Sequence, residues 1–269
     1  MATERQREQG PAAAVVRAFG GRGPAVPLPG GQGTSWRAGD VVLKPVASAE
    51  DERTVRWLHD VAPDVDPGPL RIALPRATPG GRVVVDGWTA TPWCAGTHAT
   101  GDWRARAEVA HRFAAAFARV DARTLPHRTD PWAVADRVAW GEEPGPALPH
   151  PVGAALARLG PPEPAARSRP GVVHGDLAGN VLEHPSAPPA VLDLSLYARP
   201  VGWSVAVLAV DVVAFEGVPV AVLDAVDDVP GLPEPVARAV VFRMTADLLR
   251  GGPVDPAYRA VADWAVSRM

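Results

Sequence analysis

The chain has 269 residues, 47% of them hydrophobic and 21% charged, with a formal net charge of −3. That balance describes a globular protein with a substantial core, and its slight acidity excludes a general attraction to nucleic acid or to an anionic membrane surface. The lone cysteine, Cys94, excludes an internal disulfide and a thiolate metal cluster, and no run of about 18 uncharged apolar residues is present to span a bilayer. The first ten residues mix charges with no apolar stretch behind them, unlike a secretory signal, so the expected location is the cytoplasm.

Residues 1–10 read as a loose tail, and 11–19 as a short helix stopped at Gly20-Gly21. A Gly-rich turn follows, running through Gly30, Gly31, Gly33, Thr34 and Ser35 to Trp36. It leads into Val41-Val42-Leu43-Lys44, giving the order strand, Gly loop, strand. Ser48 fits a helix N-cap, with Glu50, Asp51 and Glu52 in a first turn where the helix dipole favours carboxylates. That helix is expected to reach Val61, with Val55, Leu58 and Val61 turned inward. Residues 71–74 and 82–90 read as two strands joined by Thr78-Pro79-Gly80-Gly81, and Thr91-Pro92-Trp93-Cys94-Ala95-Gly96 ends the β-rich part.

The remainder reads as mostly helical. Val109, Phe113, Ala116, Phe117 and Val120 recur at helical spacing within 102–120, and further helices are expected near 131–140 and 151–159. A proline-rich stretch, 160–170, precedes a strand-turn-strand segment. Residues 203–215 are apolar nearly throughout, a buried helix that carries Asp211, and 234–250 and 256–269 complete the helical part. The expectation is an α+β chain with a small β-rich lobe over 1–95, a larger helical lobe over 96–269, and a ligand held between them.

The strand-turn-strand segment carries the chemistry. It reads Val172-Val173-His174-Gly175-Asp176-Leu177-Ala178-Gly179-Asn180, and a second apolar run ends at Asp193. Phosphoryl transfer from a nucleotide needs a carboxylate to orient or deprotonate the attacking hydroxyl, and oxygen ligands for magnesium. Asp176 fits the first role, and Asn180 and Asp193 the second. His174 suits a backbone brace, and Asp211 a structural partner for the turn, because a buried carboxylate requires donors. An Asx-type turn without chemistry is the bland alternative for Asp176 and Asn180.

Lys44 strengthens the first reading. Of the 27 Lys and Arg residues every other one is Arg, so a composition that avoids lysine has kept one at a strand end. A compact ammonium there can bind nucleotide phosphates. It needs a carboxylate to fix its rotamer, and the following helix offers Glu50 and Glu52, with Glu52 the better placed. Backbone N–H groups around Gly31, Gly33, Thr34 and Ser35 can approach phosphate oxygens, although a Gly-rich turn alone equally marks a hairpin. Cys94 reads as an inert apolar residue with nothing basic beside it in the sequence.

At these residues the chain resembles the aminoglycoside phosphotransferase and choline kinase superfamily, a branch of the protein-kinase-like fold, and within it an actinobacterial group. The resemblance rests on His174-Gly175-Asp176-Leu177-Ala178-Gly179-Asn180, on Val191-Leu192-Asp193 and on Lys44. It implies a two-lobed kinase-like fold, ATP or GTP as donor, Mg2+, and a small hydroxyl compound as acceptor: an aminoglycoside, an amino sugar or a choline-like alcohol. It also implies Asp176 as base, Asn180 and Asp193 on the metal, and a purine-binding crossover of Pro92, Trp93 and Cys94 that ends at Gly96. The Asp-to-Asn interval is one residue shorter than in protein kinases, and no long activation segment separates Asp193 from the Trp203 helix. A nucleotide-binding pseudokinase or regulatory module is the alternative. Glu142, Glu143, Glu216, Asp224, Asp227 and Asp228 form an acidic set that suits either a cationic acceptor or an ordinary solvated surface. The oligomeric state is not legible in the sequence.

Overall fold

A computed structural model of the chain describes residues 10–29, 33–149, 153, 159, 170–225 and 231–268. The expected tail, the 151–159 helix and the proline-rich stretch lie almost wholly outside the described residues, as do Gly30, Gly31, Gln32, Asp227 and Asp228. In chain order the elements are α1 (Ala13–Ala18), β1 (Val26–Pro27), β2 (Trp36–Ala38), β3 (Val41–Pro45), α2 (Ala49–Val61), β4 (Arg71–Ile72), β5 (Trp88–Pro92), β6 (Thr97–His98), α3 (Trp103–Ala116) and α4 (Pro131–Ala139). They continue with β7 (Gly171–His174), β8 (Val181–His184), β9 (Ala187–Val191), β10 (Leu196–Arg199), α5 (Val201–Phe215), α6 (Pro233–Leu249) and α7 (Arg259–Val266). The α+β class and the placement of most helices agree with the sequence.

The chain divides into two compact units. The first comprises Met1–Thr97, Thr124–His127 and Leu182–Leu194. Its main sheet has the order β1-β2-β3-β5, antiparallel throughout. Alternation along β3 and β5 decides which side chains go inside. Val41, Leu43, Trp88 and Ala90 enter a core with Val15, Val16 and Phe19, so α1 and its C-terminal cap cover that face. The opposite face carries Val42, Lys44, Thr89 and Thr91.

Both prolines of this ladder sit where they do no harm. The Trp93 N–H donates to the Asp40 carbonyl at 2.9 Å, and the Val46 N–H to the Gly87 carbonyl at 2.7 Å. These bonds flank Val41↔Pro92 and Pro45↔Trp88, which are therefore the non-hydrogen-bonded pairs of the ladder. A proline at such a position removes no ladder bond.

Two strands differ from their sequence expectations. The run 82–90 is not one strand, because Asp86 and Gly87 have φ of 48° and 78° and reverse the chain. Val85 and Trp88 exchange N–H···O bonds of 2.9 Å across this two-residue turn. Two successive positive φ values define the turn that matches strand twist, and Asp-Gly is a preferred sequence for it. The run 71–74 forms only β4, which pairs in parallel with β9 at Ile72↔Val191 rather than with the strand that follows it in sequence. The Gly loop lies between β1 and β2, closed by a 2.8 Å bond from the Leu28 N–H to the Ser35 carbonyl, and not directly before β3.

The second unit comprises His98–Arg123, Arg128–Val181 and Ser195–Met269. Helix α5 is buried at every position from Trp203 to Val212, as its uninterrupted apolar run requires. Helix α6 packs against α4, α5 and α7, and α3 packs against α5. Strands β7 and β10 pair antiparallel with Leu196 opposite His174. Below them the rings of Tyr197, Trp203 and Phe242 meet edge to face, with centroids 5.0 to 5.8 Å apart. Among the described residues, no helix is long and apolar enough to cross a membrane.

Candidate active site

The His-Gly-Asp turn leaves β7 and is braced from three sides. His174 is 1% exposed, its ring edge-on to Phe113 at 5.5 Å. Its Nδ1 accepts the Asp176 N–H at 3.1 Å, and its carbonyl accepts the Ser204 hydroxyl of α5 at 2.5 Å. The imidazole thus sets the backbone of the turn, as its place before the aspartate suggests. Gly175 is demanded by space. A Cβ there would stand 2.4 Å from the Tyr197 ring and 3.1 Å from that of Trp203. Its N–H donates to the Ser195 carbonyl at 2.8 Å. A left-handed Gly179, with φ 77°, closes the turn.

Asp176 and Asn180 are brought together. The Asn180 Nδ2 group donates to the Asp176 carbonyl at 2.8 Å and to its Oδ2 at 3.0 Å. The amide nitrogen is committed to the turn, which leaves the Asn180 side-chain oxygen for another partner. Asp176 keeps its side chain 45% exposed.

The other oxygen of Asp176 meets a residue that the sequence reading missed. Arg243 of α6 donates to Asp176 Oδ1 at 2.9 Å. The same guanidinium pairs with Asp211 of α5, its Nε donating at 2.8 Å and its terminal nitrogen bonding the second carboxylate oxygen. Asp211 is a partner of the turn, as expected, but only through Arg243. The signal was present in sequence: an acid in one apolar helix and an arginine within the apolar run 236–246 of another are each costly to bury alone. Burial pushes the Asp211 carboxyl up to about 6, with Arg243 opposing and Asp176 and Glu216 adding to the rise. The Arg243 guanidinium is held charged by both carboxylates.

Lys44 and Asp193 meet within the first unit. The Lys44 ammonium lies 2.8 Å from Asp193 Oδ1, with side chains 32% and 64% exposed. Asp193 follows the end of β9 with φ of 44°, a left-handed conformation that costs a non-glycine residue energy and that Asp tolerates better than most. The carboxylate expected to hold Lys44 does something else. Glu52 accepts both the Nε and a terminal nitrogen of Arg56, at 3.1 and 2.5 Å, because the i,i+4 arginine is the nearer cation on its own helix. Glu50 lies 3.9 Å from Arg53. Ser48 caps α2 as expected, in a capping box with Asp51. Opposite Lys44 in the register, the Thr89 hydroxyl is buried without a hydrogen-bond partner among the described residues.

Of the other nucleotide candidates, Gly33 has φ of 68°, Thr34 and Ser35 are half-buried, and Gly31 lies outside the described residues. Pro92 is exposed at the end of β5, with its carbonyl off the ladder by register. The Trp93 ring carries the Arg37 guanidinium at 4.0 Å. Cys94 is buried, and burial raises its thiol while Arg71 pulls the other way. A basic neighbour therefore exists in space though not in sequence, and burial outweighs it. Gly96, with φ of 150°, passes so close to β8 that a Cβ would lie 2.5 Å from the Glu183 carbonyl. Arg71 ties the segment between them by donating to the Ala95 carbonyl at 2.9 Å.

Four members of the acidic set pair with arginines. Glu142 pairs with Arg199, Glu143 with Arg137, Glu216 with Arg106 and Asp224 with Arg268, each at 2.6 to 2.8 Å. Each of these four therefore has a counter-charge within the chain.

No protein-family model matches the sequence, and no curated protein is significantly similar to it. Solved structures are similar. A thermostable mutant of aminoglycoside phosphotransferase APH(4)-Ia, in ternary complex with AMP-PNP and hygromycin B, is 15% identical with a TM-score of 0.54, over 95% of each chain. A putative fructosamine-3-kinase from Thermobifida fusca is 19% identical with a TM-score of 0.53, over 96% of this chain and 98% of that one. A choline/ethanolamine kinase family protein from Mesorhizobium loti is 19% identical with a TM-score of 0.51, over 100% of this chain and 93% of that one. The chain has the fold of these small-molecule kinases, β-rich in its N-terminal region and helical in its C-terminal region.

Proposed function

We propose that the chain is a phosphotransferase that moves the γ-phosphoryl group of ATP, or of GTP, to a hydroxyl of a small molecule of aminoglycoside, amino sugar or choline type. The observation that carries this reading is the 2.8 Å contact between Asp193 and the sequence's single lysine. In a kinase-like fold such a lysine serves the nucleotide phosphates and such an aspartate the metal. The nucleotide-binding residues fall within the β-rich part up to about residue 95 and the catalytic turn within the helical remainder. The lone cysteine suits a reducing compartment such as the cytoplasm.

The roles follow from chemistry. Asp176 orients the acceptor hydroxyl and takes its proton as the acceptor oxygen bonds to the γ-phosphorus and the bond to the bridging oxygen of ADP breaks. Lys44 neutralises phosphate oxygens. Pro92 and Cys94 offer a carbonyl and an N–H to the purine edge, beside Trp93. Gly33, Thr34 and Ser35 serve the phosphates, and Gly31, outside the described residues, is assigned with them from the sequence alone. Glu52 serves the site only if it gives up Arg56.

Asn180 and Asp193 are each a candidate ligand for Mg2+. Both are oxygen donors, which suits a hard cation, and a magnesium ion takes its remaining ligands from phosphates and water. When bound, the ion supplies neutralisation of charge developing on the phosphates.

The test is a thermal-shift titration with Mg-ATP followed by a screen of amino sugars, aminoglycosides and choline-like alcohols for ADP release. Binding and acceptor-dependent ADP release are expected, with Asp176→Ala lowering turnover by about 10²–10⁴-fold. Binding of Mg-ATP without acceptor-dependent turnover would identify a nucleotide-binding module and overturn the enzyme reading.

A further inference from the structure

We infer that Arg243 and Asp211 are a positioning pair for the Asp176 carboxylate, an inference that rests on the phosphotransferase reading of Asp176. The geometry is a chain of three groups on three elements of one unit. Asp176 stands on the turn after β7, Arg243 on α6 and Asp211 on α5. The arginine and Asp211 side chains are 7% and 5% exposed, whereas that of Asp176 is 45% exposed.

The arrangement separates two tasks. A buried guanidinium needs a counter-charge, and Asp211 supplies it from inside. If Asp176 were the sole partner of Arg243, their charges would cancel at the group that must meet the acceptor. With Asp211 present, the trio keeps one net negative charge, located at the member that reaches solvent.

Orientation is the second consequence. A carboxylate has about four lone-pair sites on two oxygens. Arg243 occupies one on Oδ1 and Asn180 one on Oδ2. The carboxylate is pinned from both ends, so its rotation is blocked while lone pairs remain for a hydroxyl. The planar fork of arginine can span two acids in this way, where a lysine would offer a point charge. The guanidinium is itself held by the Trp132 and Phe242 rings, 5.5 and 5.1 Å away. Arg243 touches no reacting atom; it acts through Asp176.

The competing explanation is that the pair only fastens α5 to α6 and Asp176 borrows a spare N–H. The variant Arg243→Met with Asp211→Leu distinguishes the two. It replaces the ion pair by apolar side chains of similar volume, a change that commonly preserves folding. Thermal unfolding and Mg-ATP affinity are measured first, then kcat and KM for ATP, and the crystal structure of the variant is solved. If the pair positions Asp176, the variant folds and binds Mg-ATP within about threefold of the wild type. Its kcat then falls about 10–100-fold with little change in KM, as expected for a misplaced catalytic group. The Asp176 side chain leaves its present rotamer or occupies several. A folded variant with Asp176 unmoved, or with wild-type kcat, overturns the inference. The rotamer decides the matter even if no acceptor is found, whereas failure of the wild-type chain to bind Mg-ATP would sink the phosphotransferase reading alone.

Discussion

Asp176 and Asp193 are the two acids on which the functional reading depends, and they are held by opposite means. Asp176 is fixed from within: a braced histidine, a glycine wedged against two rings, and an arginine anchored by a buried aspartate. Asp193 stands at the surface, where it pairs with a partly exposed ammonium and its backbone lies in the left-handed region. The first arrangement transmits any packing error to the carboxylate. The second depends on an ion pair whose members are 32% and 64% exposed. Under the proposed function, the contrast would separate a group that aims at a hydroxyl from a group that takes other partners.

The contrast is broken most easily by removing one charge from each side. Arg243→Met leaves Asp211 buried without its cation and is expected to cost about 3–5 kcal/mol of stability. Lys44→Met removes a half-exposed partner from a mostly exposed one, so its cost is within about 1 kcal/mol. Urea unfolding of both variants measures the difference. Comparable losses would show that the Lys44–Asp193 pair is as structural as the Arg243 network.

A pH series sharpens the comparison. Burial pushes Asp211 up to about 6. A carboxyl whose folded value lies above its ordinary value keeps its proton longer in the folded chain than in the unfolded one. Its contribution is therefore fully present below the ordinary carboxylate range and is lost as pH rises through about 6. Relative to Asp211→Asn, the wild type should lose stability on the order of 1 kcal/mol between pH 4.5 and 7. The exposed Asp121 gives the opposite sign. Hydrogen bonds from Arg123 pull it down to about 2, so its contribution is present above the ordinary range and lost as pH falls through that value. A stability difference between wild type and Asp211→Asn that rises with pH over this interval would refute the assignment.

Much of this was legible because local patterns determine it. Ser48 three residues before Asp51 announced the cap of α2, the apolar run of α5 announced its burial, and the proline-bounded strands declared the sheet-rich part. Asp86-Gly87 is equally legible as a hairpin turn, although the apolar residues on both sides of it mimic one continuous strand. What sequence could not supply was pairing at a distance. Nothing local joins β4 to β9, 117 residues downstream of it at Arg71 and Pro188. Nothing local selects Arg243 for Asp211, 32 residues before it, among the many arginines of the chain. Glu52 illustrates the converse. Its neighbour Arg56 lay one helical turn away, and proximity on the helix outweighed the partner that function suggested.

The smallest expected effect concerns the Lys44–Asp193 pair itself. A double-mutant cycle with Lys44→Met and Asp193→Asn measures its coupling without assuming that either single change is innocent. Asn tolerates the left-handed backbone, so the cycle reads the ion pair and not relief of strain. With side chains 32% and 64% exposed, the coupling should be about 0.5 kcal/mol at low salt. It should approach zero at about 1 M NaCl, where charges are screened beyond roughly 3 Å. The equivalent cycle on Arg243 and Asp211 should keep most of its coupling at that salt, because buried pairs are screened far less. A salt-insensitive Lys44–Asp193 coupling above about 2 kcal/mol would mean that the ammonium is not readily surrendered, since a cation held that firmly could not be given over to incoming phosphates without a matching loss in their affinity.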